Sequence, residues 1–210
     1  LSDGTYSDCA ITVSDTAANE SNSLTLTSFT IDSTAATLVE TSAIDSSTND
    51  STPDYTFVSS EAGTITYSGS CSSSTTSAIA GTNTISLNSL SDGTYSDCKI
   101  TITDSLGNAV TLNIGSFVID TTAPTVTSVS TNANNQSSVA ITDNISVTFS
   151  KAMDTTSVTT NTSNTSCSGT LRVSSDNFSN CVQMASSPSS SNSDKTFTLD
   201  PSDNLTGGTT

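Results

Sequence analysis

The sequence predicts an all-β chain assembled from repeated modules, and three observations predict it. The stretch LSDGTYSDCAITVSD (1–15) returns as LSDGTYSDCKITITD (90–104), and SFTIDSTAATL (28–38) returns as SFVIDTTAPTV (116–126). A period of about 90 residues is the length of a whole small domain, longer than the roughly 20 to 50 residues of a solenoid repeat. Apolar side chains alternate one-for-one with polar ones, as in Cys98, Ile100 and Ile102 with Lys99, Thr101 and Thr103 between them. That is the signature of half-buried antiparallel strands. Helical spacing of apolar residues is not sustained anywhere, and clusters of Gly, Asn, Asp and Ser punctuate the alternating runs as turns do.

Taken in order, the first repeat copy supplies a turn at Leu1, a strand around Cys9 and a second strand over 24–31. Ile85 and Leu87 mark a strand, Cys98 to Ile102 the next, and 112–119 the one after that. Within this last run the phase slips: Leu112 and Ile114 share one parity, Phe117 and Ile119 the other. Leu24 and Leu26 stand in the same relation to Phe29 and Ile31. Both copies therefore require a kink, at 115–116 and at 27–28, of the kind made by a strand that changes partner sheet. Ile145, Val147 and Phe149, then Phe197 and Leu199, alternate in the same way. The run SSPSSSNS (186–193) has no apolar row and reads as a loop, the stretch least suited to order.

These runs divide the chain into residues 1–32, the last two strands of one module; 33–120, a complete module; and 121–210, most of a third. LTGGTT (205–210) matches LSDGTY (90–95) in its Leu, its Gly and its Thr, so the last module is expected to lack its closing strands. The junctions DSTAA (32–36) and DTTAP (120–124) are short. Pro124 holds Ala123 extended, which makes for a stiff connection.

Of five cysteines, Cys71 and Cys98 fall within the complete module and Cys167 and Cys181 within the last. Cys9 repeats Cys98 without the strands that would carry its partner. Two bridges, Cys71 to Cys98 and Cys167 to Cys181, are expected, because metal-binding cysteines would need close pairs or histidines and there are none. Bridges of this kind imply an oxidising compartment.

The succession LSDGTY (90–95), a strand, TDSLGN (103–108) and SFVIDTTAPT (116–125), with DYTFVSSEAGTITY (54–67) before it, resembles bacterial immunoglobulin-like (Big-type) tandem repeats of large surface proteins. APTVTSVS (123–130), ISVTFSKAMD (145–154) and DKTFTLDP (194–201) resemble a second type of bacterial Ig-like module. The resemblance implies tandem Greek-key β-sandwiches of about seven strands. The buried Trp of antibody domains is impossible here, as the chain has no Trp. Tyr95 lies three residues before Cys98 rather than two, which argues against a tyrosine corner built on that cysteine.

The net charge of −16, with Lys99, Lys151, Arg172 and Lys195 as the bases, excludes a phosphate-tracking nucleic-acid surface and disfavours anionic membranes. No run is long and apolar enough to insert in a bilayer as a helix. Without His, no Ser-His-Asp or Cys-His nucleophile can be assembled, and the expectation is that the chain is not an enzyme. An internal isopeptide could use Lys151, but nothing local singles out its partner. Calcium is the cofactor to consider. Asp15 and Asp104 open the loop between the last two strands of each copy, and Asp32 and Asp120 end modules. With Asp50, Asp54 and Glu61 these offer hard oxygen ligands at a junction. The resemblance adds weight, since related repeats are stiffened by calcium between domains; the alternative role for the aspartates is turn formation.

The expected partners are neighbouring modules or copies of the chain, the latter by head-to-tail strand complementation. The expected function is that of a semi-rigid extracellular stalk or filament at the bacterial surface. The alternative is an adhesin region that binds a glycan or host protein through module loops, although Tyr6, Tyr55, Tyr67 and Tyr95 are the only Tyr or Trp residues it could use.

Overall fold

The computed structural model describes residues 1–131 and 143–202, which contain strands and no helix. The match of 205–210 to 90–95, on which the shortened last module rests, lies outside the described residues. The chain forms two compact units, Leu1–Thr122 and Ala123–Thr210.

The first repeat copy contributes four short strands: β1 (Gly4–Tyr6), β2 (Ala10–Ile11), β3 (Leu24–Thr25) and β4 (Phe29–Ile31). β1 pairs antiparallel with β4, and β2 with β3. The break between β3 and β4 falls at the kink the parity slip requires.

The rest of the unit comprises β5 (Leu38–Ser42), β6 (Ser47–Thr48), β7 (Asp54–Ser59), β8 (Gly63–Ser68), β9 (Ser77–Ala78), β10 (Gly81–Ser86), β11 (Gly93–Tyr95), β12 (Lys99–Thr103), β13 (Ala109–Asn113) and β14 (Phe117–Ile119). One sheet runs β10-β7-β5, a second β13-β12-β8-β9, and a third β11-β14-β6. β12 pairs with β13 and β11 with β14. These are two halves of one long hairpin, kinked around Gly115-Ser116, so that the far half reaches β8 while the near half reaches β6. The parity slip thus marks a real change of partner.

The sheets face one another across a single core. Tyr55 and Phe57 of β7 and Ile85 of β10 meet Ile65 of β8, Ile100 and Ile102 of β12, and Phe117 and Ile119 of β14. All are buried, while the intervening Thr64, Thr66, Thr84 and Thr111 face outward. Alternation therefore delivers the apolar area whose removal from water holds the sheets together. The Tyr55 hydroxyl is buried without a well-formed hydrogen bond. Burial first, then the neighbouring Glu40 carboxylate, push its ionisation far above the ordinary phenol range.

Tyr95 is anchored independently of Cys98. Its hydroxyl donates to the Ser91 carbonyl at 2.9 Å, as Tyr6 donates to Ser2 at 2.8 Å, so each copy ties its phenol to the loop four residues upstream. The extra residue before Cys98 is taken up in the irregular step from β11 to β12, which frees the tyrosine from the cysteine's spacing. Tyr95 also stacks on Phe117 with ring centroids 5.3 Å apart, and Tyr6 on Phe29 at the same distance.

The disulfides join Cys71 to Cys98 and Cys167 to Cys181, leaving Cys9 free. Cys71 follows β8 and Cys98 precedes β12, which are neighbours in one sheet. The bridge thus ties adjacent strands and does not span the sandwich. Gly69, just before it, is fixed by geometry: its φ of 79° is in the left-handed region, and an added Cβ would fall 2.1 Å from the Asp97 carbonyl oxygen.

The second unit contains β15 (Val126–Thr131), β16 (Ile145–Phe149), β17 (Ser189–Ser191) and β18 (Thr196–Leu199), in the order β15-β16-β18-β17. The irregular segment that includes Leu171, Val173, Val182 and Met184 packs against Val147 and Leu199 of this sheet. Here the sequence reading fails at 186–193, where β17 forms instead of a loop. Asn192, Ser193 and Asp194 all take positive φ, making a tight reversal that lays the serines antiparallel to β18. Backbone pairing with β18 holds this edge strand, which needs no apolar row of its own.

Candidate functional site

Three of the seven acids proposed as calcium ligands come together. Carboxylate oxygens of Asp32, Glu61 and Asp104 lie within 4.8 Å of one another, and all three residues are half-buried. Asp32 follows β4, Glu61 sits in the turn between β7 and β8, and Asp104 opens the turn between β12 and β13. Gly63 permits the close approach of the last two, because a Cβ there would meet the Thr103 carbonyl oxygen at 2.6 Å.

The other four acids lie apart. Asp15 is the counterpart of Asp104 in the first copy. Asp120 is the counterpart of Asp32 and caps Thr122 N–H at 3.2 Å. No comparable triad surrounds Asp15 or Asp120 among the described residues. Asp50 accepts from the Thr52 N–H and hydroxyl, Asp54 accepts from the Ser86 hydroxyl, and both border a different cleft, of about 270 Å³, with Asp45 and Thr48.

Asn108, which sequence reasoning passed over, organises the triad. Its side-chain N–H₂ donates to the Asp32 carbonyl at 3.0 Å and to Asp104 Oδ2 at 2.8 Å. Asp104 Oδ1 accepts from the backbone N–H of Leu106 and of Asn108. Asp15 and Asn19 repeat this latch, and Asp176 with Asn180 forms a third with the same Asp-to-Asn spacing. The spacing D-x-x-x-N, shared by all three latches, was the available signal.

These hydrogen bonds hold the carboxyls below their ordinary range. The cause is led by the Asn108 side chain for Asp104, the Asn19 side chain for Asp15, and the Asn180 backbone N–H for Asp176. A carboxyl whose folded value lies below its unfolded value of 3.8 contributes stability above that pH and loses it as pH falls through the folded value. The thermal midpoint is therefore expected to stay level from neutrality to about pH 5 and to drop below about pH 4. Melting across this range checks it, and Asn108→Ala should flatten the acid limb.

Around the triad, the chain leaving the first copy is pinned from both sides. Asp3 accepts from the hydroxyls of Ser33 and Thr34 at 2.8 and 2.7 Å, Asn108 holds the Asp32 carbonyl, and Ser60 Oγ accepts from Thr37 N–H. Asp92, the counterpart of Asp3, accepts from Thr121 N–H and from the hydroxyls of Thr121 and Thr122. The aspartate of LSDGTY thus clasps the residues that follow its own module's final strand, in both copies.

Residues 39–121 match one family model and residues 120–210 another, each described as a bacterial Ig-like domain. The chain belongs to the bacterial Ig-like family. No curated protein and no solved structure matches it. Bacterial Ig-like domains are generally structural or adhesive modules, typical of extracellular or surface proteins. The donor set of the triad fits a hard divalent cation. It is all oxygen, and separations within 4.8 Å are compatible with ligands at about 2.3 to 2.6 Å from one calcium.

Proposed function

We propose that this bacterial Ig-like chain is a mechanical spacer of an extracellular stalk or filament, with calcium stiffening the junction at Asp32. The single observation that carries the reading is the double pinning of residues 32–37, by Asp3 from one copy and by Asn108 and Ser60 from the next. A connection meant to swing would not spend three side chains on its own backbone and hydroxyls. The absence of His and the bridging of four of the five cysteines support a role without catalysis. Calcium at Asp32, Glu61 and Asp104 would offset three carboxylates gathered at one half-buried place and tie two module loops to the linker.

Neighbouring modules or further copies of the chain are the proposed partners. The first copy leaves Ile11, Val13 and Leu24 exposed, and in the second unit Val126 and Val129 of β15 are exposed as well, so each unit carries apolar side chains that an added strand would cover.

The test is melting of the intact chain with calcium and with chelator. A midpoint that rises several degrees in calcium, and does not rise in Asp104→Asn, supports the cation. An unchanged midpoint removes calcium and leaves the spacer reading in place. Electron microscopy of native material tests the spacer itself: extended assemblies with a module-sized repeat support it, and compact particles overturn it.

A further inference from the structure

We propose that Arg172 and Phe178, in the second unit, form a binding site for a carboxylated sugar. The site adds recognition to the spacer role and does not depend on it. Two observations carry it: a strained aromatic ring held out into solvent, and a guanidinium without an acidic partner in the same cleft.

Asp176 to Ser179 form a β-turn, closed by the Ser179 N–H donating to the Asp176 carbonyl at 3.3 Å. Its central residues, Asn177 and Phe178, both take positive φ, 56° and 61°. A turn of that shape favours Asn followed by Gly, because Gly enters the left-handed region without a Cβ to crowd the backbone. Asn177 follows the preference and Phe178 breaks it. A bulky side chain in this region is an outlier that persists only where the surroundings over-determine it. Here they do. The Cys167–Cys181 disulfide brackets the turn, Asp176 is latched to Asn180, and the Phe178 N–H donates to Ser174 Oγ at 3.0 Å. Yet the ring gains no burial from being held there. Phe178 is 56% exposed and belongs to neither core cluster. Strain that brings no packing points to a ring kept in place for a ligand.

Arg172 and Phe178 line one cleft of about 330 Å³ with Thr170. Arg172 is exposed, and no carboxylate pairs with it among the described residues. Asp176, the acid of the same loop, accepts instead from Asn180 and from the Ser174 hydroxyl. On a chain of net charge −16, such a guanidinium is a local point of attraction for an anion. It matches one planar carboxylate through two parallel N–H donors. A phosphate, carrying close to two charges, would stay largely uncompensated at a single base. The exposed ring, for its part, takes the flat C–H face of a pyranose. One ligand class meets both demands, a sugar ring that bears a carboxylate. An extended peptide suits the cleft less well. Residues 150–188 contain no strand, so the chain here offers no backbone ladder to pair with.

The test is saturation-transfer NMR of the intact chain with methyl glucuronide and with methyl glucoside, which differ only in the carboxylate. We expect millimolar binding of the glucuronide, about ten-fold tighter than the glucoside. Arg172→Gln should remove that preference, and Phe178→Gly should weaken both sugars by about ten-fold. Thermal melting separates recognition from folding. Phe178→Gly relieves the left-handed phenylalanine and should hold or raise the midpoint, and Arg172→Gln should leave it unchanged. A Phe178→Gly midpoint that falls by several degrees would show that the ring supports the fold, and it overturns the site. So does a wild-type chain that binds neither sugar or binds both equally, or a preference for the glucuronide that survives Arg172→Gln. Displacement of the glucuronide by an equal concentration of a short Glu-rich peptide assigns the cleft to a protein partner and overturns the sugar. Arg172→Gln alters an exposed side chain, so it carries the test even if Phe178→Gly fails to fold. All these outcomes leave the spacer reading where it stands, since that is tested by the shape of native assemblies.

Discussion

Replacing Cys71 and Cys98 together with alanine lowers the stability of the first unit by about 3 kcal/mol on the chain-entropy account of a loop this long. At roughly 4 to 8 °C per kcal/mol for a small domain, the thermal midpoint falls by roughly 10 to 20 °C. The cost is large for two reasons. The module is thin, with a core of one aromatic cluster and a few β-branched residues, and a domain of this size holds only about 5 to 15 kcal/mol in total. Both sulfurs are also buried, Cys98 at 1% and Cys71 at 4% exposure, so truncation removes packing along with the covalent tie. Calorimetry of the double variant, set beside reduced wild-type chain, checks the figure. A shift under about 3 °C would mean that the hydrogen bonds of Asp97 to Ser70 and of Asn88 to Ser72 already close this loop unaided.

That bridge and the strands around it were readable because cysteine and alternating β-branched residues leave a mark at fixed spacing. Cys98, Ile100 and Ile102 announce β12, and the parity slip between Ile114 and Phe117 announces the kink that separates β13 from β14. β17 left no such mark. Its three serines are exposed, and a reversal through three residues of positive φ fixes its pairing, which composition does not encode. β6 is equally silent, being two polar residues, Ser and Thr, whose parallel partner lies about 70 residues downstream, a distance set by topology alone.

The acids divide in the same way. Their chemistry was legible, but which of them meet depends on the loops that share a place, so Asp32, Glu61 and Asp104 converge while Asp50 and Asp54 border another cleft. Asn108 was missed because an amide inside a turn reads as turn chemistry. Its second bond, to the Asp32 carbonyl, joins residues far apart in sequence and belongs to the tertiary structure.

The repeat supplies its own control for the other large effect. Phe117 and Phe29 occupy the same place in the two copies, each opening a three-residue strand and each stacked on its tyrosine at 5.3 Å. Local structure is thus alike, and surroundings differ. Phe117 is 1% exposed, within the cluster formed by both sheets, whereas Phe29 is 37% exposed and lies outside that cluster. Phe117→Ala should cost about 3 to 5 kcal/mol, the range for a buried aromatic whose cavity cannot collapse. Phe29→Ala should cost about 1 kcal/mol, since it forfeits mainly the ring stack. Urea denaturation of the two variants measures the difference directly. Equal losses would show that the first copy's strands are packed as fully as the second's, and that burial of a complete sandwich is not what makes the second copy rigid.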